Sequence, residues 1–377
     1  MSTAQDILSE PSDSLWRLAW KRLRADRVAM ASMAVVGFFI AMLLLSLFGF
    51  IASDWEKEAG VHYAPPHFVG AGTNVSQVDG RAVRQVPENP RDPLRLVIRQ
   101  LRKDIQEQRP SGAAAVQDYG IKDPLQADLD AIHAKQQAKG VKQQATREPT
   151  LLFGADKWGH DVIKKVIKGS ETSIVVGLVA ALVATFIGTV LGALSGYFGG
   201  WLDDCLNWFY NVFTSIPYLL LILAVAAVLQ SKGMVTIILI LGLTGWTGVF
   251  RLVRAEYMKH REREYVMAAG AIGASNWRRM FVHIFPNISH IPLVQFSLMS
   301  VGFIKSEVIL SFLGFGVPVG TVSWGSMLNE AQNELILGKW WQLAAVTVAM
   351  AVLITALSLF TDGLRDALDP KLKQGDS

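Results

Sequence analysis

Long apolar runs alternate with charged segments along the chain, and six of the runs are long enough to cross a hydrocarbon core of roughly 30 Å. They cover residues 28–52, 173–197, 208–229, 234–252, 288–313 and 340–361. The pattern predicts an all-α membrane protein with six transmembrane helices. Ahead of the first run, Leu15, Trp16, Ala19, Trp20 and Leu23 form an apolar stripe at helical spacing, with Arg17, Lys21 and Arg24 off the stripe. Ser14 can cap the start of this helix. An amphipathic helix lying on the inner leaflet is expected; the alternative is a short helix packed on a partner.

A long polar insert, 53–171, separates the first two runs. Within it, DPLRLVIRQLRKDI opens on an Asp cap and a Pro at the first helical position, followed by Leu94, Ile98, Leu101 and Ile105. DPLQADLDAIHAK repeats the device with Leu125, Leu129 and Ile132. These two helices and the turn-rich remainder predict a small, loosely built module. His62, His67, His133 and His160 lack the spacing and the Cys partners of a metal site and read as solvated histidines.

Between the fourth and fifth runs, within the loop 253–287, lies EREYVMAAGAIGASNWRRMFVHIFPN. Gly273 divides it. The residues before Gly273 are helix-compatible, and the small side chains of Ala268, Ala269, Gly270 and Ala271 would let another backbone come close. After it, Ser275 is a candidate N-cap, and Trp277, Met280, Phe281 and Ile284 share one apolar face. Arg278, Arg279 and His283 point elsewhere, and Pro286 is expected to stop the helix at the membrane. The prediction is a loop of two short helices with a glycine hinge.

Charge then orients the runs. Arg17, Lys21, Arg22, Arg24 and Arg27 precede the first run and place the N-terminus in the cytoplasm; six crossings return the C-terminus there. The same topology makes the Arg-rich loop at 253–287 cytoplasmic and the insert external. The insert's own basic residues do not oppose this, because the rule holds only for loops up to about 60 residues. The first run is longer than a signal-peptide core, so it is expected to stay as a span. With 51% hydrophobic and 18% charged residues, the net charge of +4 reads as this orientation signal and not as a nucleic-acid footprint. Cys205 is the single cysteine, which excludes an intrachain disulfide framework.

Candidate chemistry is sparse. No Walker A pattern, nucleophile–base pattern or metal-ligand cluster occurs, so the chain is not expected to be an enzyme. Gly188, Gly192, Gly196 and Gly200 make a small-xxx-small face suited to close helix packing. Lys305 and Glu307 lie within the fifth run, where charge is costly. They line a translocation path or its gate, or else they make intramembrane pairs or contacts to a partner.

AAGAIGASNWRRMFVHIFPN resembles the cytoplasmic loop motif of ABC importer permeases, EAA-xxx-G-x9-I-x-L-P. Ala268, Ala269, Gly273 and Pro286 match; Phe285 stands for the Leu, His283 for the Ile and Met267 for the Glu, with Glu264 one turn earlier. DSLWRLAWKRLRADRVAMASMAVVG, LLFGADKWGHDVIKKVIKGSETSI, GYFGGWLDD, LSFLGFGVP, SWGSML and DGLRDALDP are similar to segments of the oligopeptide/dipeptide/nickel branch, on the subunit with an external segment between spans one and two. The resemblance covers most of the chain outside the insert.

The resemblance implies one half of a transmembrane pathway in the bacterial inner membrane. It also implies a second permease, two cytoplasmic ATPases and a periplasmic or lipid-anchored substrate-binding protein. ATP and Mg would bind to the ATPases, with no cofactor in this chain. Ala268, Ala269, Gly273, Ser275, Arg278, Phe285 and Pro286 would form the ATPase-coupling loop. Short peptides are the expected solute, with nickel or other metal chelates and other small solutes as alternatives. A membrane-anchored external receptor or scaffold is the reading of a different class. The expected organisation is an N-terminal helix to 27, span one at 28–52, insert 53–171, permease core 172–361 and cytoplasmic tail 362–377.

Overall fold

A computed structural model of the 377-residue chain describes residues 15–70, 97, 100–101, 147–318 and 320–368. The chain divides into two compact units, 1–70 with 148–377, and 71–147. In the second unit Val97, Gln100 and Leu101 are helical. The rest of the two helices predicted in the insert, with Ser14 and His133, lies outside the described residues.

The first unit is helical. Its elements are α1 (Leu15–Ala25), α2 (Arg27–Leu47), α3 (Val162–Phe198), α4 (Gly200–Thr214), α5 (Tyr218–Leu229), α6 (Met234–Thr244), α7 (Thr247–Arg261), α8 (Glu264–Ala271), α9 (Asn276–Arg278), a π-helical turn (Arg279–Ile284), α10 (Phe285–Ile288), α11 (His290–Phe312), α12 (Trp324–Ile336) and α13 (Trp341–Leu368). Among the described residues, α2, α3, α6 with α7, α11 and α13 are long and apolar enough to cross a membrane. The pair α4 and α5 makes a sixth only as a broken span.

That pair corrects the expectation of a continuous third helix over 208–229. The chain bends by 88° between α4 and α5. Pro217 has no N–H to continue the helix and drives the residue before it out of the helical region. It sits at the N-cap of α5 with ψ 127°.

Helix α3 organises the unit. Its 37 residues span about 55 Å at the rise of an α-helix. Its glycine stripe faces the backbone of α7. A Cβ at Gly188 would lie 2.6 Å from the Trp246 carbonyl oxygen, one at Gly192 2.8 Å from that of Phe250, and one at Gly196 2.4 Å from that of Arg254. Only glycine permits this approach, which replaces side-chain bulk by backbone dispersion contact. Gly200, expected in the same stripe, faces open space instead. Further along α3, Gly177 packs on Ile304 of α11 and Gly169 on Trp324 of α12.

At its other flank the bundle is closed by α1, α2 and α13. Asp26 caps α2 by accepting the N–H groups of Val28 (2.8 Å) and Ala29 (3.2 Å). Leu23 of α1 packs with Ala29 and Ala367. Trp20 stays half exposed, with the Arg24 guanidinium 5.7 Å over its ring.

The ends of the predicted insert belong to this unit. Residues 58–66 and 148–161 are laced by isolated bridges, Glu58 with His160, Gly60 with Glu148, Pro66 with Leu151 and Ala155 with Asp161. His62 and His67 are exposed, as expected, and each also bonds a backbone oxygen, that of Lys157 (2.7 Å) and that of Thr150 (3.0 Å). The Trp341 indole fastens α13 to this layer by donating to the Ala155 oxygen at 2.8 Å.

Candidate functional site

The loop between α7 and α11 is built on a buried apolar seat. Met280, Ile284 and Ile288 are fully buried and pack with Ala193 and Tyr197 of α3, Val249, Val253 and Tyr257 of α7, and Val266 of α8. The Tyr257 hydroxyl donates to the Met280 oxygen at 3.3 Å. Helix α8 ends as glycine-capped helices do. Gly273 has φ +88°, and the N–H of Ala274 returns to the Ala269 oxygen at 3.0 Å while that of Ile272 returns to Ala268 at 3.2 Å. Ser275 then caps α9, accepting from the Arg278 N–H at 3.4 Å. The hinge and cap therefore stand where the spacing put them.

Pro286 does not stop the helix. The backbone widens into the π-turn at Arg279–Ile284, where the Phe285 N–H reaches the Met280 oxygen, and α10 then carries Pro286 in its first turn. In that position a missing N–H is tolerated, and the wider turn keeps the ring off the preceding carbonyls.

The extra residue in this turn also splits the predicted apolar face. Met280 and Ile284 face inward, while Trp277 is 59% exposed. Trp277 stacks on Phe281 with ring centroids 5.4 Å apart and 10° between planes, and Phe281 leans on Phe285 at 6.5 Å. Met267 (56% exposed) and Ile272 (87% exposed) are two further apolar side chains of this loop that the described residues leave uncovered. Ala268 and Arg278 are exposed, Ala269 is buried, and Pro286 is exposed.

Polar contacts hold this loop in place. Arg279 points back toward α3: its guanidinium lies 5.8 Å from the Tyr197 ring and bonds the Asn276 side-chain oxygen, which also accepts the Tyr197 hydroxyl at 3.2 Å. The Asn287 amide donates to the His283 oxygen at 2.7 Å. About two turns before the end of α7, Arg254 grips Asp203 of α4 through two bonds of 2.6 Å. Asp203 also accepts from Ser195 and, at 2.8 Å, from Asn207. Spacing gave no warning of the Asp203–Arg254 fork, because its partners are 51 residues apart.

Lys305 and Glu307, neighbours in sequence, part company on α11. Lys305 is exposed, whereas Glu307 is fully buried. Glu307 Oε1 accepts the Ser311 hydroxyl at 2.7 Å, and Ser173 and Ser323 also face the carboxyl.

Comparison with known proteins bears on all of this. Residues 188–374 match the family described as "Binding-protein-dependent transport system inner membrane component". Residues 14–66 match the "N-terminal TM domain of oligopeptide transport permease C". The dipeptide transport system permease protein DppC of Bacillus subtilis is 36% identical over 59% of this chain and 69% of its own length. The chain belongs to this permease family.

The oligopeptide transport system permease protein OppC of the same organism is 35% identical over 59% of this chain and 72% of its own length. DppC of Lactococcus lactis is 27% identical over 99% of this chain and 95% of its own. A solved chain of the MetNI methionine ABC transporter is 15% identical, with TM-score 0.44 over 54% of this chain and 96% of that chain. The two matches thus cover α1, α2, the C-terminal end of α3 from Gly188 on, and everything from α4 to α13. It makes the chain a multi-pass membrane component of a transport system, as the apolar helices require.

Proposed function

We propose that this permease is one half of the membrane pathway of an ATP-driven importer of short peptides. The named relatives are dipeptide and oligopeptide transport permeases, which supports that solute class. Six crossings, with α4 and α5 counted as one broken span, put both termini and the α8–α10 loop in the cytoplasm and the 53–171 insert outside. The basic residues before α2 and around α7 support this orientation. A second permease completes the pathway, two ABC ATPases bind ATP and Mg in the cytoplasm, and a periplasmic or lipid-anchored protein delivers the peptide.

One observation carries the assignment of the loop: the apolar side chains Met267, Ile272, Trp277 and Phe281 stand exposed on a loop seated by buried Met280, Ile284 and Ile288, with no cover among the described residues. Exposed apolar patches on a rigid support mark protein interfaces. Ala268 leaves little bulk on α8, and Ser275, Arg278, Phe285 and Pro286 line the approach to the helix behind Gly273. Met267, in place of an acidic side chain, makes this contact more apolar. When the ATPases close on ATP they move this handle, and α7 and α11, which leave its two ends, carry the motion to the spans. The motor thereby gives two conformations of the pathway different energies. On α11, exposed Lys305 faces the pathway or the second permease, and Glu307 supports it from inside.

Ile272→Asp tests the assignment. Ile272 is 87% exposed, so a carboxylate there does not disturb the fold. The expected result is normal abundance in the membrane, loss of ATPase subunits on affinity purification and loss of uptake. Full retention of the ATPases by the variant would overturn the coupling role.

A further inference from the structure

At the N-terminal end of α3, far from the loop, lies a buried ionic cluster that the transport assignment does not use. Asp156 is 0%, Lys165 3% and Glu334 2% exposed. Lys165 Nζ donates to Asp156 Oδ2 at 2.7 Å and to Glu330 Oε2 at 2.6 Å. Asp156 Oδ1 also accepts the N–H groups of Trp158 (2.8 Å) and His160 (2.9 Å), and His160 Nδ1 lies 3.0 Å from Oδ2. The one buried ammonium is therefore already shared by two carboxylates.

Glu334 of α12 is the third carboxylate. Its Oε1 accepts the backbone N–H of Lys157 at 3.3 Å, and its Oε2 is buried without a hydrogen-bond partner among the described residues. The charged and titratable groups around it are Lys165 on α3, Asp156 and Lys157 on the 155–161 turn, Glu330 on its own helix and Tyr63 on the 58–66 segment. The Lys157 ammonium is partly exposed and reaches Glu330 only at 4.0 Å. The Lys339 ammonium is turned over the Trp341 ring at 5.3 Å. An ionised Glu334 would thus be a desolvated charge beside two like charges, with an unsatisfied oxygen. Burial is the first cause that pushes its carboxyl up, to about 7; Lys165 opposes the rise and Asp156 adds to it.

We propose that Glu334 is a proton-binding latch: its neutral carboxyl lets α12 close on the 155–161 turn without burying a charge, and ionisation, although it strengthens the bond from the Lys157 N–H, places a desolvated anion beside Asp156 and Glu330 and so favours release. An ionised Glu334 regains hydration only by leaving its pocket, so losing the proton favours separation of the turn from α12. The surrounding joints survive that release. Trp341 still holds Ala155, and Gly159 stays beneath Gly60, where a Cβ would meet the Gly60 oxygen at 2.2 Å. This end of the permease thereby senses the pH of the compartment that it faces. The proposal does not depend on the identity of the solute.

Hydrogen exchange of the purified full-length protein in lipid nanodiscs, read at Lys157 and its neighbours and corrected for intrinsic rates, tests it. In the wild type, opening should become up to about tenfold more frequent per pH unit between pH 5 and 7 and level off above. Glu334→Gln should be flat across that range. Glu330→Gln, which removes a like charge from beside Glu334 in the closed state, should make the rise level off at a lower pH. A wild-type profile without slope, a slope that persists in Glu334→Gln, or a Glu330→Gln plateau that begins at the same or a higher pH would each overturn the latch.

Discussion

Gly196→Ala adds one methyl group at the tightest point between α3 and α7. The new Cβ would sit 2.4 Å from the Arg254 oxygen, 2.8 Å from the Tyr257 Cβ and 3.1 Å from the Arg254 carbonyl carbon. Two of the three atoms are backbone, so no side-chain rotation relieves the clash. The helices must part by roughly half an ångström or more at this crossing, and overpacking of that kind costs about 1–3 kcal/mol. The displaced segment carries the Arg254 fork to Asp203 and the buried Tyr257 that supports the Met280 seat, so the loop should loosen with it. Thermal unfolding of the purified protein should show a midpoint lower by several degrees, together with weaker retention of ATPases. Gly248→Ala on the facing helix α7 is the control, because nothing lies within 4 Å of its new Cβ. It should be neutral or slightly stabilising, since Ala exceeds Gly in helix propensity by about 1 kcal/mol. Equal stability of Gly196→Ala and wild type, or equal damage from Gly248→Ala, would refute the close-approach argument.

Asp203→Asn breaks the charged fork on Arg254 while keeping an oxygen for Ser195. With side chains 15% and 26% exposed, the pair is partly screened, so the expected loss is about 1–2 kcal/mol, below that of a fully buried pair. A double-mutant cycle with Arg254→Gln should recover that coupling. Asp156→Asn strips Lys165 of one of its two anions and should cost about 3–5 kcal/mol in denaturation experiments. The two carboxylates of this cluster also set opposite pH limits. Burial alone would raise Asp156, but Lys165 holds it below the ordinary carboxylate range, so its contribution is present above about pH 4 and is lost as the pH falls further. Glu334 is raised, so its contribution is full below about pH 4.5 and is lost as the pH rises through about 7. Stability should therefore peak on the acidic side of neutrality, and Glu334→Gln should flatten the alkaline limb.

Much of the fold was legible because the membrane imposes it. A backbone in hydrocarbon must satisfy its own hydrogen bonds, so long apolar runs can only be helices. Length and composition alone then place α2, α3, α6 with α7, α11 and α13. The glycine stripe was legible for the same reason, since i, i+4 spacing leaves Gly188, Gly192 and Gly196 on one face. Gly200 fell outside it because the chain turns at Gly199, where φ is +67°, and begins α4. The hinge at Gly273 and the cap at Ser275 were legible because both are local. The α12 helix was not read from the pattern. Its capping box, Ser323 with Ser326, is too short a signal to stand out after a long span.

What the pattern hid shares one physical origin: it depends on how a local conflict is resolved by distant packing. Pro217 and Pro286 present the same local chemistry, a missing N–H and a crowded carbonyl. At Pro217 the chain breaks and turns by 88°. At Pro286 it widens by one residue and runs on, because continuing keeps Met280, Ile284 and Ile288 together on the seat formed by Val253, Tyr257 and Val266. No such buried seat exists under α4, which buries none of its residues. The cost of disrupting a helix is the same at both sites, and the apolar surface at stake differs. The buried cluster at Glu334 was invisible on the same grounds, since Lys165 and Glu330 meet only after α3 and α12 have packed. A strict helical period puts Trp277 on one apolar face with Met280 and Ile284, of which only the latter two are buried. The widened turn leaves Trp277 stacked on Phe281 at the surface, where a partner can cover it.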